Sequence, residues 1–421
     1  MTTSPPFELD ALDPTLYVRG VAHDVFDWLR ANDPVHWDER NGIWVVTKHE
    51  DISYNERQPN IFSSAQGIRP RGGGNGDLSI VSMDDPEHAR QRRLVSRGFT
   101  PSRINQMFDH IREVARELVD AIAARGECDF VTDIARPLPL IVIAELLGMP
   151  REDRDQLGIW SDTMMSAEGA EIGDDPAIVA AGEAWAAYVT YLMDLMEERR
   201  REPKDDLISV LLSSADAGEL EFQHDKIQQA IQDGSARDAG LGLQGDEVLG
   251  FCVLLLVAGN ETTRNALSGG IETLSRFPEE QARLVADPTL INTATEEILR
   301  YVSPVISFSR TVTQDTDLRG RELKAGDVIL NVYPSANRDE DVFEDPHDFR
   351  VDRAPNLHLA FGTGPHFCLG ANLARTEIRI MLEELFNRLP DLRVAPGEAA
   401  ERQPNALVTT VSSLPVVFTP N

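Results

Sequence analysis

The stretch Phe361-Gly362-Thr363-Gly364-Pro365-His366-Phe367-Cys368-Leu369-Gly370 places a cysteine behind a glycine-bearing turn. It runs straight into a segment whose apolar residues Ile378, Met381, Leu382, Leu385, Phe386 and Leu389 recur at helical spacing. A cysteine at or next to a helix N-terminus faces unpaired backbone N–H groups, which stabilise the thiolate and hold down its pKa. The glycines let the backbone pass close to a flat ligand and turn amides toward the sulfur, an arrangement that tunes a metal–sulfur bond. Cys128 and Cys252 have no such setting. No cysteine pair has zinc-site spacing, and both read as plain small residues of a chain kept in a reducing compartment.

Three further constellations could do chemistry. In Ala258-Gly259-Asn260-Glu261-Thr262-Thr263 an apolar helix turns polar, and Leu254, Ala258 and Thr262 fall at i, i+4 and i+8. One helix face therefore passes from apolar to small to hydroxylic. Glu261, following an apolar run, is costly to bury unless it is paired or relays protons. Glu297 and Arg300 stand at i, i+3 and can bridge on one helix face. His88 and Arg92, after Asp85-Pro86, stand at i, i+4, and two cations aligned this way suit a carboxylate ligand. Arg90, Arg93, Arg97 and Arg103 extend them into a basic face.

Positioning these groups requires long helices. From about Pro86 to Arg300 the apolar spacing predicts an almost wholly helical body, broken by signals such as Gly148-Met149-Pro150. The apolar stretch Val248 to Ala258 is shorter than the ~18 residues of a membrane span and reads as a buried helix. Residues 1–22 read as a loosely structured lead-in, followed by a short amphipathic helix with Val25, Phe26 and Leu29 and a strand at 42–47. Strands return around 308–312, 327–333 and 413–418. The glycine-rich stretch 71–77 lacks phosphate-loop spacing and reads as a flexible loop, and 223–244 as a mobile helix–loop connection. The expected class is mainly α with a smaller β portion.

Length alone, 421 residues, suggests more than one domain, but no repeat or low-complexity tract divides the chain. A hydrophobic content of 42% supports a large core. The net charge of −30 argues against a nucleic-acid binder, which needs clustered cations, and against docking on anionic lipid. The first residues show no basic segment followed by an apolar one, so a cytoplasmic protein is expected, with no membrane association.

The cysteine stretch resembles, at every defined position, the haem-binding signature Phe-Gly-x-Gly-x-His-x-Cys-x-Gly of cytochromes P450, with Pro365 in a free position. That resemblance implies the cytochrome P450 fold, a triangular helical prism holding haem b between a long oxygen-binding helix and the cysteine-loop helix, with 1–421 as a single domain. Cys368 would be the proximal iron ligand. A thiolate there pushes electron density onto the iron and favours O–O cleavage. Phe361, Gly362, Gly364, His366, Gly370, Ala258 and Gly259 would lie against the haem, and His88, Arg92 and Arg310, joined by His366, would hold its propionates.

The segment Ala258 to Thr262 is similar to the family's oxygen-activating helix, which makes Glu261 and Thr262 the acid and alcohol that deliver protons to dioxygen. Glu297 and Arg300 match the family's Glu-x-x-Arg, implied to be buried and to brace the cysteine loop with Arg353 or a neighbour as third member. Ala336-Asn337-Arg338-Asp339 and the Phe343 to Phe349 pattern carry the likeness over roughly residues 20 to 418.

The activity so implied is that of a monooxygenase inserting one oxygen atom from O2 into a C–H bond, with electrons from a ferredoxin and its reductase. A small acidic ferredoxin would meet the basic face of Arg90, Arg93, Arg97 and Arg103, an encounter sped by charge; the protein is expected to be a monomer. Transferred family positions nominate the 61–82 loop, Leu254, Val257, Val305, Ile306, Phe308, Leu407 and Val408 as pocket lining. They are nearly all apolar and imply a hydrophobic substrate. The motif wording resembles actinobacterial members acting on steroids, branched fatty acids or terpenoids. The alternatives are a peroxide-driven peroxygenase, whose relatives usually lack the Glu261–Thr262 pair, and a haem-based binding or sensor protein without turnover, which has no need of it.

Overall fold

A computed structural model of the chain describes residues 7–18, 20–70, 79–167, 175–216 and 247–421; the 71–77 glycine stretch and the 223–244 connection lie outside them. The helices are α1 (His23–Asn32), α2 (His49–Arg57), α3 (Glu87–Val95), α4 (Pro101–Ala123), α5 (Pro137–Leu147), α6 (Arg154–Met165), α7 (Pro176–Arg201), α8 (Leu207–Asp216), α9 (Glu247–Arg276), α10 (Pro278–Ala286), α11 (Ile291–Val302), the short α12 (Tyr333–Ala336) and α13 (Ala371–Arg388). The strands are β1 (Val35–Asp38), β2 (Ile43–Val46), β3 (Phe62–Ser63), β4 (Glu127–Asp129), β5 (Ser307–Val312), β6 (Thr316–Leu318), β7 (Arg321–Leu323), β8 (Val328–Val332), β9 (Arg393–Val394), β10 (Glu401–Arg402), β11 (Val411–Ser413) and β12 (Pro415–Val417). The chain is thus mainly helical with a smaller β portion, and among the described residues no helix is long and apolar enough to cross a membrane. It forms two compact units, one of residues 1–63, 104–138 and 261–421, the other of 64–103 and 139–260.

The first unit is built on a sheet of order β1-β2-β8-β5-β3, in which β2 and β8 run parallel and the other neighbours antiparallel. Successive residues point to opposite faces. Val46 and Ile329 join Ile52, Phe62 and Tyr333 in one core cluster, while Val45 and Leu330 join Phe26, Leu29 and Ile306 in another. Full burial of a side chain such as Phe26 or Phe62 stabilises the unit by roughly 1.5–3 kcal/mol each. Of the 1–22 stretch, the described residues from Phe7 on pack against this unit: Leu9, Ala11 and Tyr17 are buried, Tyr17 Oη donates to the Ala11 carbonyl at 3.1 Å, and Ala11 N–H donates to buried Asp38 at 3.0 Å.

The almost wholly helical stretch from Pro86 to Arg300 contains, among its described residues, one short strand, β4, which pairs with β12 in register Cys128↔Val416. A strand this short leaves too little alternation to register as a period. The stretch 413–418 likewise divides, β11 pairing with β10 and β12 with β4 and β9, about Leu414.

In the second unit, Gly148 ends α5 as the sequence suggests, with φ of +78° and the Met149 N–H donating to the Ala144 carbonyl at 2.8 Å. Asp175 caps α7, its carboxylate accepting from Ala177 N–H at 2.8 Å with Pro176 at the first helical position. Buried Arg199 at the far end of α7 pairs with Asp206 and donates to the Gly148 carbonyl.

Candidate functional site

The cysteine loop closes on itself by short backbone bonds. Cys368 N–H donates to the Phe361 carbonyl at 3.0 Å and Phe367 N–H to that of Gly364 at 3.1 Å, and α13 begins at Ala371. Gly362 and Gly364 have φ of +63° and +68°, the left-handed region that a side chain disfavours. At Gly364 a Cβ would in addition run into the backbone carbonyl of Glu56. Cys368 is exposed and stands just before the first turn of α13, whose orphan N–H groups favour its thiolate. Gly370 needs no special φ, and a Cβ there would meet no protein atom within 4 Å. Phe361 and His366 are partly buried; the Phe361 ring lies 4.5 Å beneath the Arg375 guanidinium. Arg375 pairs with Glu296 at 2.7 and 2.9 Å. Burial opposes the Glu296 charge, but His358 and Arg375 outweigh it and hold the carboxyl down to about 2.

Arg310 lies on β5, buried, with Nη1 donating to the Ser309 carbonyl at 2.8 Å and Nη2 3.6 Å from Glu56 Oε1. Glu56 escaped the sequence reading. It also accepts from Thr363 N–H of the cysteine loop at 2.7 Å and from the Tyr333 hydroxyl. These partners all lie far along the chain from Glu56, Tyr333 being 277 residues and Thr363 307 residues on, and a lone glutamate at the end of a polar helix carries no signal along the chain.

Glu297, Arg300 and Arg353 come together as the sequence suggests. Arg300 Nε and Nη2 donate to the two Glu297 oxygens at 2.7 and 2.8 Å, and Arg353 Nε to Oε1 at 3.0 Å; neither Glu297 nor Arg300 has any exposed surface. Glu297 also accepts from Arg350 N–H at 3.0 Å and Asn356 at 3.1 Å. The remaining Arg300 donors reach the carbonyls of Asn337, Pro346 and Asp348. Asn337 in turn receives the Leu359 N–H at 2.6 Å, so α11 is tied through irregular chain to the residues that lead into the cysteine loop.

On α9, Leu254 and Val257 are partly buried and Ala258 is exposed, whereas neighbouring Leu256 and Asn260 are fully buried. Gly259 packs against Ile143: a Cβ there would lie 2.8 Å from Ile143 Cδ1, the end of a side chain that would have to turn aside. Glu261 is buried, and its charge is met by Arg264 one turn on and by Asn265 Nδ2 at 3.0 Å. That pairing answers the cost of burying it. Thr262 follows, partly buried.

His88 and Arg92 lie on α3. His88 is buried with Nδ1 3.4 Å from Asp85; burial pushes its pKa down, against the pull of Asp85. The basic face is partly neutralised, with Arg90 paired to Glu247 at 2.9 Å and Arg103 to Asp205 at 2.6 Å; Arg93 and Arg97 are exposed, and Arg97 Nη1 lies 3.5 Å from the Ser214 hydroxyl oxygen.

Of the nominated pocket residues, the structure joins Val305 and Val408 in an antiparallel bridge, with Ile306 N–H donating to the Leu407 carbonyl at 2.8 Å. Ile306 itself is fully buried in the sheet core. Val305 and Phe308 are partly buried against the other core cluster.

The donor set suits a haem. A single exposed sulfur stands at a helix N-terminus, buried basic groups are available for carboxylates, and among the described residues no cluster of His, Cys, Asp and Glu could hold a metal ion unaided. A metal at Cys368 must bring its other ligands with it, as an iron porphyrin does.

Comparison with known proteins agrees. The family model for cytochrome P450 matches residues 178–415. A steroid C26-monooxygenase of Mycolicibacterium smegmatis is 42% identical, covering 100% of this chain and 98% of its own. A methyl-branched lipid omega-hydroxylase of Mycobacterium bovis is 38% identical over 90% of this chain and 84% of its own. Among solved structures, CYP109E1 from Bacillus megaterium in complex with testosterone superposes with a TM-score of 0.81 at 34% identity, covering 94% of this chain and 97% of that one.

Proposed function

The chain belongs to the cytochrome P450 family, a haem b monooxygenase of hydrophobic substrates, and from that premise we propose that it hydroxylates the terminal carbon of a methyl-branched alkyl chain on a steroid or related lipid. The position of attack is suggested by the relatives' names, a C26 and an omega position, both ends of branched chains. The nominated lining, Leu254, Val257, Val305, Phe308, Leu407 and Val408, offers apolar contact and few polar anchors, as such a chain requires. The whole chain acts as one catalytic domain, a reading supported by relatives that match over its full length.

Bound haem supplies dioxygen activation, and the overall change is RH + O2 + two electrons + two protons giving ROH and water. Cys368 would ligate the iron as thiolate, and Arg310, His88, Arg92 and His366 would hold the haem carboxylates. Glu261 and Thr262 bring the protons inward; Arg264 and Asn265 keep the Glu261 carboxyl in place between transfers. The electrons come from a ferredoxin-type donor whose acidic face meets Arg93 and Arg97, the exposed members of the basic face. The protein works as a monomer in the cytoplasm, consistent with its free cysteines.

The observation that carries this reading is the exposed Cys368 at the start of α13, behind the left-handed Gly362–Gly364 turn. Reduced protein under carbon monoxide should show the long-wavelength Soret band from which the family takes its name, and Cys368→Ala should abolish it; a band that survives the substitution refutes the ligand. Ferric protein titrated with sterols and branched lipids should show loss of the iron-bound water, with product analysis locating the hydroxyl at a chain end.

A further inference from the structure

Glu56 is poorly placed if stability were its only task. It occupies the last turn of α2, where the helix macrodipole disfavours negative charge, and it is only 4% exposed. Burial pushes its carboxyl up, against the pull of Arg310, the Tyr333 hydroxyl and the Thr363 N–H. Burying a carboxylate gains little over an apolar side chain unless every oxygen is well used.

Here each oxygen is used, and by a different element. Oε2 accepts from Thr363 N–H at 2.7 Å, within the cysteine loop, and a Cβ at Gly362 would come to 3.0 Å from it. Oε1 takes the Tyr333 hydroxyl of α12 and faces Arg310 Nη2 of β5 at 3.6 Å. The backbone carbonyl of Glu56 lies against Gly364. The helix that carries it is held at its other end, where His49 N–H donates to Asp339 at 2.8 Å and Lys48 pairs with the same carboxylate at 2.8 Å.

We propose that Glu56 is a positioning residue of the haem site, its one carboxylate fixing both the turn that delivers Cys368 and the guanidinium of Arg310. This rests on Cys368 and Arg310 meeting the haem as described above. A glutamine keeps the size but carries no charge: with its one acceptor oxygen turned to Thr363 N–H it can only offer an N–H to Tyr333 Oη, so both bonds lose their charge assistance and Arg310 loses its counter-charge. The loop then shifts while the fold remains.

The test compares wild-type, Glu56→Gln and Tyr333→Phe holoprotein. Measured are the rate at which the reduced carbon monoxide complex passes from the long-wavelength band to the shorter-wavelength band of a haem without thiolate, the rate of haem transfer to apomyoglobin, and the reduction potential. Glu56→Gln should speed both rates by about tenfold or more, the loss expected from one hydrogen bond to a charged group. It should also move the potential upward, because removing an anion beside Arg310 favours the reduced, more negative haem. A residue that merely supported the fold would lower the melting temperature and leave band and potential in place, and that result overturns the proposal. If Glu56→Gln does not accumulate as folded holoprotein, Tyr333→Phe decides: the band conversion must quicken by a smaller factor, and no change overturns the assignment. A wild-type protein without the long-wavelength band overturns the functional reading and this one with it; a normal wild-type band with variants indistinguishable from it overturns only the role of Glu56.

Discussion

Substituting Arg300 or Glu297 should cost more than any surface ion pair, and the structure allows the amount to be worked out. Both side chains lack exposed surface, and Arg300 makes its bonds to Glu297 Oε1 and Oε2 and to the carbonyls of Asn337, Pro346 and Asp348. Arg300→Lys supplies three donors from one nitrogen, so at least two of these acceptors lose their partner at about 1–3 kcal/mol each. Glu297→Gln costs a comparable amount, since it removes the anion shared by two buried guanidinium groups, Arg300 and Arg353. Removing one member of a buried pair costs about 3–5 kcal/mol because the other charge stays behind. Set against a typical total of about 5–15 kcal/mol, that is a large fraction. Urea titration of purified protein should show the midpoint of both Arg300→Lys and Glu297→Gln well below that of wild type with the slope unchanged, and haem content falling in parallel. A Glu297→Gln protein within about 1 kcal/mol of wild type refutes the account, because a fully buried, multiply bonded carboxylate cannot be removed so cheaply.

Two other outcomes are expected. Glu377, buried on α13, has its carboxyl pushed up to about 8 by burial alone, so the folded protein retains a proton that the unfolded chain releases near the ordinary glutamate value of 4.5. Stability from this group is full below the lower value and is lost as pH rises to the upper one, at about 1.4 kcal/mol per unit and about 3 kcal/mol by pH 7. Glu377→Gln should flatten the pH dependence of the urea midpoint over that window; parallel curves for the two proteins would show the group is not protonated in the fold. Thr262→Ala should leave electron consumption running while product per electron falls several-fold, and unaltered coupling removes Thr262 from proton delivery.

Much of the site is legible along the chain because its signals are local. The cysteine loop is read from glycines and a helix start that stand next to Cys368, and α9 and α11 carry their pairs, Leu254–Ala258–Thr262 and Glu297–Arg300, at spacings that a helix brings onto one face whatever surrounds it. What a helix face meets is a different matter. That Glu297–Arg300 is buried rather than solvated, that Arg90 and Arg103 are spent on Glu247 and Asp205, and that Ile306 serves the sheet core were decided by partners distant in sequence. Glu56 is the extreme case, with Thr363, Tyr333 and Arg310 all supplied by other elements. Helical periodicity is a property of near neighbours and survives in the bare sequence, whereas burial and long-range pairing exist only once the sheet register and the return of the chain have set the distances.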